Sequence, residues 1–577
     1  MPMQFRGRKL LSHPKLNLTV AALLLILESL RSIHGISIAQ DLLVIFLGFL
    51  ITNHLRSEFE KNQRSTSRLF LIARKHKFGI LLNIVAFFFF TLWLSRWIFH
   101  PEFIFFRDVT ATSSAYLQLG AGLIFINEIG KIGFFKSWFD SVEMTSIRRF
   151  LYTYVLLSVV ATGLLILPFS LNDNINISLI DAFFISVSAI TVTGLTPIDV
   201  ANSFSYYGLT IILVLIQVGG LGIVALTALA AAVTSRRLSL QNMNLGVEFY
   251  GITDGGKVTQ FLIKVVSCTI MVEAIGAAVI YLSLPNATPD KFFHALFHSV
   301  SAFCNAGFSS FSGNLMNELA GGIIIPILFL VVLGGIGFPV LFEVISAIKN
   351  RRSILQLTSN TYMVLTMTAF LVIGGTITLM ISGFASNPAD KGVWTVIWES
   401  VFYSISARTA GFNVSDLSLL GFPVHFCIIF LMFIGAAPFS TAGGVKVTTI
   451  GVLIASTLSF FSGHKWIQFY KNEIPPFALQ KSVAIVFSYI MVSFLAIIGL
   501  LIFENIDPWP LIFESVSALS TVGLSIGATE NLSPLGKLIM SLLMLIGRMG
   551  LATIIFIGIG QINQQKFRYS TGKFYVG

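Results

Sequence analysis

The stretch SVSAITVTGLTPID, residues 186–199, decides how the rest of the chain is interpreted. It ends an apolar run, yet it turns to threonine, valine, threonine and glycine and then to proline and aspartate. Leucines would prolong a lipid-facing helix, whereas glycine and small hydroxyl residues favour backbone that leaves the helix. The question is which function a break in the helix serves at the end of an apolar run.

The composition is that of a membrane protein with many spans. Of 577 residues, 55% are hydrophobic and only 11% are charged, against about a quarter in soluble domains. Apolar runs of about 18 residues or more, long enough to cross a bilayer as helices, recur along the chain. The first apolar run, 18–30, lacks a small-residue cleavage site, so we expect no cleaved signal. Cys268, Cys304 and Cys427 are too scattered to predict a disulfide frame or a metal site.

Basic residues, which give the chain a net charge of +11, are concentrated in alternate connections. These connections are 6–15, 56–77, 131–149, 235–257, 349–352, 465–481 and 566–573. This positive-inside pattern predicts that both termini lie in the cytoplasm. A nucleic-acid partner for 56–77 is a weaker interpretation than a cytoplasmic loop at the lipid surface, so we expect none.

Four glycines lie in matching surroundings: Gly194, Gly307, Gly411 and Gly523. Each is followed by leucine or phenylalanine and has a small residue five positions earlier. Each also follows a short amphipathic run, such as 181–189, that is too short to cross a bilayer and predicts a re-entrant half-helix. Full-length apolar spans flank every half-helix, so the same span–half-helix–span unit occurs four times.

The predicted fold is an all-α polytopic membrane protein with four such repeats around one pseudo-fourfold pore. We assign the repeats to 150–234, 259–349, 361–460 and 478–561, with a cytoplasmic tail at 562–577. The spans after the glycines are predicted at 206–234, 321–349, 426–460 and 534–561. Residues 1–149 hold about four extra spans, near 18–30, 38–55, 78–99 and 116–135, and their role is not predicted.

The glycine loops predict a cation site. Backbone that is neither helix nor sheet is tolerated in a membrane only where it lines a cavity or packs in protein. Rings of carbonyl oxygens can replace the hydration shell of a monovalent cation, and glycine allows the positive φ that aims them. The hydroxyls of Thr191, Thr193, Thr409 and Thr521 would add acceptors or brace the loops, and the half-helices would point their negative ends at the ion. One copy alone would more often be a helix C-cap and a turn, whereas four copies favour a filter.

The residues assigned to this filter are Thr191, Val192, Thr193, Gly194, Cys304, Asn305, Ala306, Gly307, Arg408, Thr409, Ala410, Gly411, Ser520, Thr521, Val522 and Gly523. The motifs TVTGL, NAGFSSF, RTAGFN and STVGL at these positions resemble the Trk/Ktr/HKT superfamily of potassium-uptake proteins, most of all its bacterial Trk/Ktr branch. QVGGLGIV, VLGGIGFPVL, GAAPFSTAGGVKVTT and GRMGLATI extend the resemblance over residues 150–577. The resemblance implies four unequal channel-like units around one pore, and glycine at all four positions implies potassium as the transported ion.

The third outgoing span meets glycines and a proline about ten residues in, near mid-membrane at ~1.5 Å per residue. A helix broken at that depth should line a cavity. In the family, the matching segment is an intramembrane loop that gates the pore. The predicted gate residues are Gly435, Ala436, Ala437, Pro438, Phe439, Ser440, Thr441, Ala442, Gly443, Gly444, Lys446 and Arg548. For Lys446, a snorkelling role and a gating contact are both open.

Buried charges give further predictions. A mid-membrane arginine costs at least ~2.5–3.5 kcal/mol, so Arg548 should face a cavity or a partner. The resemblance places it in the pore wall against the gate loop; the alternative is a salt bridge to Glu273. Glu273 itself is expected to be structural, tying its span to backbone or to a basic side chain. Arg408 is expected to brace the third loop by pairing with Glu399 or a backbone carbonyl.

Other motifs do not support an enzyme. GGLGIV and GGIGFP resemble a dinucleotide fingerprint but lie inside predicted spans, where they favour close helix packing. His294 and His298 stand four apart, and aromatic-like packing is favoured over a metal pair. No nucleophile–base grouping stands out, so we expect neither catalysis nor an organic cofactor in this chain.

The function predicted from the sequence is potassium uptake across the cytoplasmic membrane through a gated pore. The resemblance implies a cytoplasmic nucleotide-binding ring of TrkA/KtrA type as regulator, and a homodimer of the membrane subunit. Two alternatives stay open: the membrane subunit of a potassium-pumping ATPase, and a non-conducting receptor or scaffold with vestigial loops. Potassium-only against mixed potassium and sodium transport, and coupling to sodium or protons, also stay open.

Overall fold

The computed structural model describes residues 146–172, 175–222, 255–286, 288–316, 322–351, 356–386 and 392–550. Nearly all of the predicted N-terminal region, the end of the first repeat beyond 222 and the C-terminal tail lie outside these residues. Among the described helices, Gln260–Ser283, Ser359–Gly383 and Pro476–Phe503 are long and apolar enough to cross a bilayer.

Unit 1 consists of α1 (Ser146–Leu165), the half-helix α2 (Leu179–Thr191) and the outgoing helix α3 (Tyr206–Leu221). The half-helix begins at a capping serine, because the Ser178 hydroxyl accepts a hydrogen bond from the Asp181 amide at 3.1 Å. At 13 residues, α2 is about 20 Å long at ~1.5 Å per residue, too short to cross the hydrocarbon core.

Unit 2 consists of α4 (Gly255–Ser283), the half-helix α5 (Lys291–Phe303) and two outgoing helices, α6 (Ile324–Ile336) and α7 (Phe338–Lys349). The axes of α6 and α7 are bent by 103° at Gly337, whose φ is 89°. The span predicted over 321–349 thus consists of two helices joined by a bend at Gly337. Glycine tolerates that φ, and a proline in the first turn of α7 suits a new helix start.

Unit 3 consists of α8 (Ser359–Ser386), the half-helix α9 (Val393–Ser406), α10 (Phe422–Phe433) and α11 (Val447–Phe461). Residues 434–446, between α10 and α11, are not helical and are called the intramembrane loop below. After α11, a two-stranded antiparallel hairpin, β1 (Gln468–Phe469) and β2 (Asn472–Glu473), pairs Gln468 with Glu473.

Unit 4 consists of α12 (Pro476–Phe503), the half-helix α13 (Pro508–Ser520) and the outgoing helix α14 (Pro534–Met549). Both α12 and α13 carry proline in the first turn, where the missing N–H costs no helical hydrogen bond.

The four units close into a ring. Each outgoing helix packs against the half-helix of the next unit: α3 on α5, α6 on α9, α10 on α13, and α14 back on α2. The closing contact between the last and first units includes an ion pair, with Lys537 Nζ 2.6 Å from Asp181 Oδ1. Because of this closure, the C-terminal ends of the four half-helices surround one centre.

Candidate functional site

The loops that follow the half-helices have the same backbone conformation in all four units. The filter glycines have positive φ: 95° at Gly194, 71° at Gly307, 75° at Gly411 and 96° at Gly523. The residue two before each glycine is also left-handed: Val192 at 58°, Asn305 at 59°, Thr409 at 70° and Thr521 at 51°. Valine and threonine are rarely found at positive φ, and such strain is concentrated at functional sites.

The four glycines also contact one another's loops in a closed cycle. A Cβ added at Gly194 would lie less than 3.0 Å from the carbonyl oxygen of Ala306, next to Gly307. In the same way, a Cβ at Gly307 would meet Ala410 O, one at Gly411 would meet Val522 O, and one at Gly523 would meet Thr193 O. Each glycine is therefore required twice, for its φ and for the close approach of the neighbouring carbonyl.

Serines near the end of each half-helix hold these loops, and sequence reasoning missed them. The Ser188 hydroxyl accepts from the Gly194 amide at 3.1 Å, and the Ser517 hydroxyl accepts from the Gly523 amide at 3.1 Å. Ser301 and Ser406 instead donate to a carbonyl just after their glycine, each at 2.7 Å. The signal was a tetrapeptide shared by the units, SVSA three times and SISA once.

The third loop is one residue shorter than the others. The second serine of the tetrapeptide lies six residues before the glycine in units 1, 2 and 4 but five before it in unit 3, at Ser406. Accordingly, the Val522 amide bonds to Ser517 O, five residues back, whereas the Ala410 amide bonds to Ser406 O, four residues back. The common left-handed positions are nevertheless preserved.

The threonine hydroxyls fall into two groups. Thr191 Oγ1 bonds to Val187 O at 2.7 Å and to Thr193 Oγ1 at 2.8 Å, so these two brace the first loop. The hydroxyls of Thr409 and Thr521 are buried and have no hydrogen-bond partner among the described residues. Their oxygens are thus not engaged by any described donor or acceptor.

A cavity of about 410 Å³ is lined by Gly194, Gly307 and Gly523, and we call it the outer cavity after the side predicted from the charge pattern. The charged side chains among its described lining residues are all acidic: Asp199, Asp416 and Glu530. A cavity lined by one sign of charge raises the local concentration of the opposite ion.

The intramembrane loop lies directly beneath the ring. Its base is closed by hydrogen bonds from the Gly435 amide to Val445 O, at 2.9 Å, and from the Val447 amide to Ala436 O, at 3.1 Å. At its tip, Thr441 Oγ1 donates to Phe303 O, the carbonyl at the end of half-helix α5, at 3.2 Å.

The loop also contacts units 2 and 4. The Ala437 amide donates to Gly335 O at 3.0 Å, and the Phe338 amide donates to Phe439 O at 3.2 Å, so the bend between α6 and α7 holds it. Gly443 packs against Thr521 of the fourth filter loop, and a Cβ at Gly443 would overlap that side chain. The intramembrane loop, which belongs to unit 3, therefore touches units 2 and 4 as well.

Lys446 turns back onto the loop. Its Nζ donates to Ala442 O at 2.7 Å and to Gly443 O at 3.4 Å, so the side chain is engaged by the loop that it ends. Of the two roles left open by the sequence, this geometry favours the contact over snorkelling.

Arg548 joins the loop to unit 1. Its guanidinium donates to Thr441 O and to Gly219 O. Glu273 has other partners, since its carboxylate accepts from Gln217 Nε2 at 3.1 Å. The alternative of an Arg548–Glu273 salt bridge is thus not found among the described residues.

Arg408 is buried beside the third loop, but its partner is not one of those expected. Its guanidinium donates to Thr368 Oγ1 on α8 at 3.5 Å, and its Nε has no described partner. The expected pairing with Glu399 or a backbone carbonyl does not appear among the described contacts.

The two histidines of α5 anchor the outer loop of unit 2. His298 Nε2 lies 2.9 Å from Ser309 Oγ, and His294 Nδ1 lies 2.7 Å from Ser310 Oγ. The His298 ring stacks on Phe311 with centroids 4.6 Å apart. Hydroxyl and ring contacts thus account for both side chains.

Unit 4 uses a buried carboxylate at the matching place, and sequence reasoning missed it. Glu514 accepts from Ser525 Oγ at 2.6 Å, from the Ala528 amide at 2.7 Å and from Thr529 Oγ1. Glu514 and His298 both lie nine residues before their glycine, and each bonds the serine two residues after it. Comparing opposite repeats would have shown this pairing.

Helices long enough to cross a bilayer, with four shorter helices between them around one centre, define a helical polytopic membrane transporter. Residues 151–568 match the TrkH family model, described as a cation transport protein, and the chain therefore belongs to this family. The family and the helical membrane fold predicted from the sequence are confirmed, and the chain is a transport protein rather than an enzyme.

Several relatives are bacterial uptake proteins. The chain is 34% identical over 430 residues to Ktr system potassium uptake protein B of Bacillus subtilis, covering 74% of this chain and 95% of that protein. It is 30% identical over 415 residues to the potassium/sodium uptake protein NtpJ of Enterococcus hirae, covering 70% and 91%. Its fold matches the crystal structure of the potassium transporter TrkH from Vibrio parahaemolyticus with a TM-score of 0.62 and 19% identity, covering 84% of this chain and 98% of that one.

Proposed function

We propose that this chain carries potassium into the cell across the cytoplasmic membrane through a gated pore. The ring of four glycine loops acts as the selectivity filter, and the intramembrane loop with Arg548 acts as the gate. The observation that carries the proposal is the closed cycle in which each filter glycine meets the carbonyl before the next one.

The filter would work by replacing water around the ion. Main-chain carbonyls of the four loops provide oxygens at one level, and the free hydroxyls of Thr409 and Thr521 provide two more. The four half-helices point their C-terminal, negative ends at the same centre, and the acidic outer cavity supplies cations to it.

The gate would work by occupying the path below the filter. The loop tip bonds to the end of α5 through Thr441, and Arg548 holds the Thr441 carbonyl while placing a positive charge there. Conduction requires these contacts to open, because a cation passing the filter would otherwise meet backbone and a guanidinium.

The proposal extends to assembly and orientation, for which the family resemblance and the charge pattern are the support. Both termini lie in the cytoplasm, the chain forms a homodimer, and a cytoplasmic nucleotide-binding ring of TrkA/KtrA type controls the gate. The names of the relatives support potassium as the cargo, and NtpJ, named for potassium and sodium, makes the preference between the two ions the property to measure. No described contact favours the pump subunit or the non-conducting receptor.

The test is rubidium uptake into proteoliposomes, with potassium, sodium and lithium as competitors, for Gly307→Ala and Gly313→Ala. Both glycines have φ of 71°, but a Cβ at Gly307 would overlap the third filter loop, whereas at Gly313 the nearest atom is Met316 Sδ at 4.0 Å. We expect Gly307→Ala to lose uptake or its preference for potassium by about tenfold or more, while Gly313→Ala keeps both.

Equal effects of the two substitutions would mean that backbone strain, and not ring closure, is what matters. If neither the wild-type protein nor a variant with a shortened intramembrane loop carries any alkali cation, the pore function is wrong.

A further inference from the structure

In units 2 and 4, the residue three positions before the filter glycine is hydrogen-bonded to the long helix that precedes the half-helix of its own unit. This helix is α4 in unit 2 and α12 in unit 4. In unit 4, Tyr489 Oη on α12 donates to Ser520 Oγ at 3.1 Å. In unit 2, the Cys304 thiol donates to Glu273 Oε1 on α4 at 3.7 Å. Glu273 and Tyr489 each lie 34 residues before their glycine, so they occupy the same place in two repeats.

The brace in unit 2 is chemically unlike the one in unit 4 because it contains a carboxyl group. Glu273 is 5% exposed and Cys304 is fully buried. The second carboxylate oxygen accepts from Gln217 Nε2 of α3 at 3.1 Å, and the Ser299 hydroxyl fixes the Glu273 backbone carbonyl at 2.6 Å. Gly220 of α3 packs on the thiol, where a Cβ would overlap it.

This arrangement connects the second filter loop to two other elements. Cys304 directly precedes Asn305, the left-handed residue of that loop. Gln217 lies two residues before Gly219, whose carbonyl accepts from Arg548. A buried acceptor that loses its donor is destabilising, so this carboxylate constrains the side chains that serve it.

We propose that Glu273 is a positioning residue for the filter: it holds the second loop through the Cys304 thiol and thereby sets the preference for potassium over sodium. The proposal rests on the filter function proposed above. A filter distinguishes two alkali ions by the placement and number of its oxygens, so a loop freed at Cys304 shifts oxygens in one quarter of the ring.

The first test does not need transport. In the full-length protein with Cys268→Ala and Cys427→Ala, Cys304 is the only thiol, and its infrared S–H stretching band reports its hydrogen bond. We expect Glu273→Ala to move the band to higher frequency and Glu273→Gln to move it less. Tyr489→Phe, which removes the brace of unit 4, should leave it in place. An unmoved band in Glu273→Ala would overturn the contact.

The second test is a double-mutant cycle on ion preference, measured as rubidium uptake with sodium as competitor. Glu273→Gln keeps the size of the side chain and can still bond Gln217, so the fold is preserved. We expect Glu273→Gln and Cys304→Ala each to lower the potassium preference several-fold, the double variant to do no more than either, and Glu273→Asp to restore part of it.

Additive effects, or an unchanged preference in Glu273→Gln, would contradict the positioning role. A wild-type protein that carries no ion would instead refute the filter function, while the infrared result would still report on the Glu273 contact.

Discussion

The layer that contains the filter glycines and the layer directly beneath it are built on opposite principles. In the upper layer, all four units share the same left-handed positions and the same glycine contacts. In the lower layer, units 1, 2 and 4 end a helix at a glycine of positive φ (Gly222, Gly337 and Gly550), whereas unit 3 inserts the intramembrane loop.

In the lower layer, unit 4 also differs from units 1 and 2, and the difference is a single residue. Gly219, Gly334 and Gly547 occupy the same place, since each packs on a carbonyl at the end of its own half-helix. The residue after each is Gly220, Gly335 and Arg548, so the arginine stands where two other units have no side chain. Coordinating an ion needs oxygens from every side, which symmetry supplies, whereas blocking a path needs one obstacle.

The largest increase in uptake should come from removing the asymmetric loop. Deleting residues 438–442 removes the Thr441 contacts with Phe303 and Arg548 but keeps the two hydrogen bonds that close the base of the loop. We expect the initial rate of rubidium uptake to rise about tenfold, which corresponds to ~1.4 kcal/mol of barrier. Thr457→Val, on the exposed side of α11, serves as a control and should leave the rate unchanged. A deletion variant that conducts like wild type would rule out this loop as the gate.

A smaller rise is expected when Arg548→Gly makes unit 4 resemble units 1 and 2. This substitution removes a positive charge from the proposed ion path and two hydrogen bonds to backbone carbonyls, so uptake should increase several-fold. Arg548→Lys retains the charge without the forked donor geometry, so its uptake should lie between that of wild type and that of Arg548→Gly. Lower uptake in Arg548→Gly would show that the arginine supports the open pore.

Within the layer that contains the filter glycines, Glu514→Ala tests a side chain that supports the outer loop of unit 4. Unit 2 has His298 at the matching position. Truncation leaves Ser525, Thr529 and two buried amides without their acceptor, and the expected loss is about 3 kcal/mol of unfolding free energy. Thermal unfolding in detergent measures it, with Glu530→Ala in the same outer loop as the control. Equal melting temperatures for the two variants would show that the carboxylate is dispensable.

The smallest effect on stability concerns the interface that closes the ring. Asp181 and Lys537 join the first unit to the last, and their side chains are only 15% and 14% exposed. A double-mutant cycle with Asp181→Asn and Lys537→Met should give a coupling of about 1 kcal/mol in unfolding free energy. A coupling near zero would mean that helix packing alone closes the ring.

The sequence anticipated the elements whose cause is local. A positive φ selects glycine wherever it occurs, so Gly194, Gly307, Gly411 and Gly523 could be recognised from their surroundings before any contact was known. The interruption at 434–446 was visible for the same reason, because proline and glycine weaken a helix at that point. The bend at Gly337 was missed, since a glycine inside an apolar run also suits close helix packing.

The partners of the buried polar groups could not be anticipated. Arg408 was expected to reach Glu399 or a backbone carbonyl, but its described partner is Thr368 on the neighbouring helix. Glu273 was expected to bind backbone or a basic side chain, but its carboxylate accepts hydrogen bonds from Gln217 and Cys304, which belong to two different units. These pairings depend on how the helices pack, and amphipathic patterns do not specify that.

By itself, the sequence determined that the chain crosses a membrane repeatedly and that four glycines interrupt it in matching places. Both follow from hydropathy and from backbone conformation, because these depend on residues that are close in the sequence. Only the tertiary structure decided which carbonyl each glycine meets and that Arg548 holds Thr441 and Gly219, which lie 107 and 329 residues away. Contacts at such separations arise when the ring closes, because packing brings together groups that no local pattern relates.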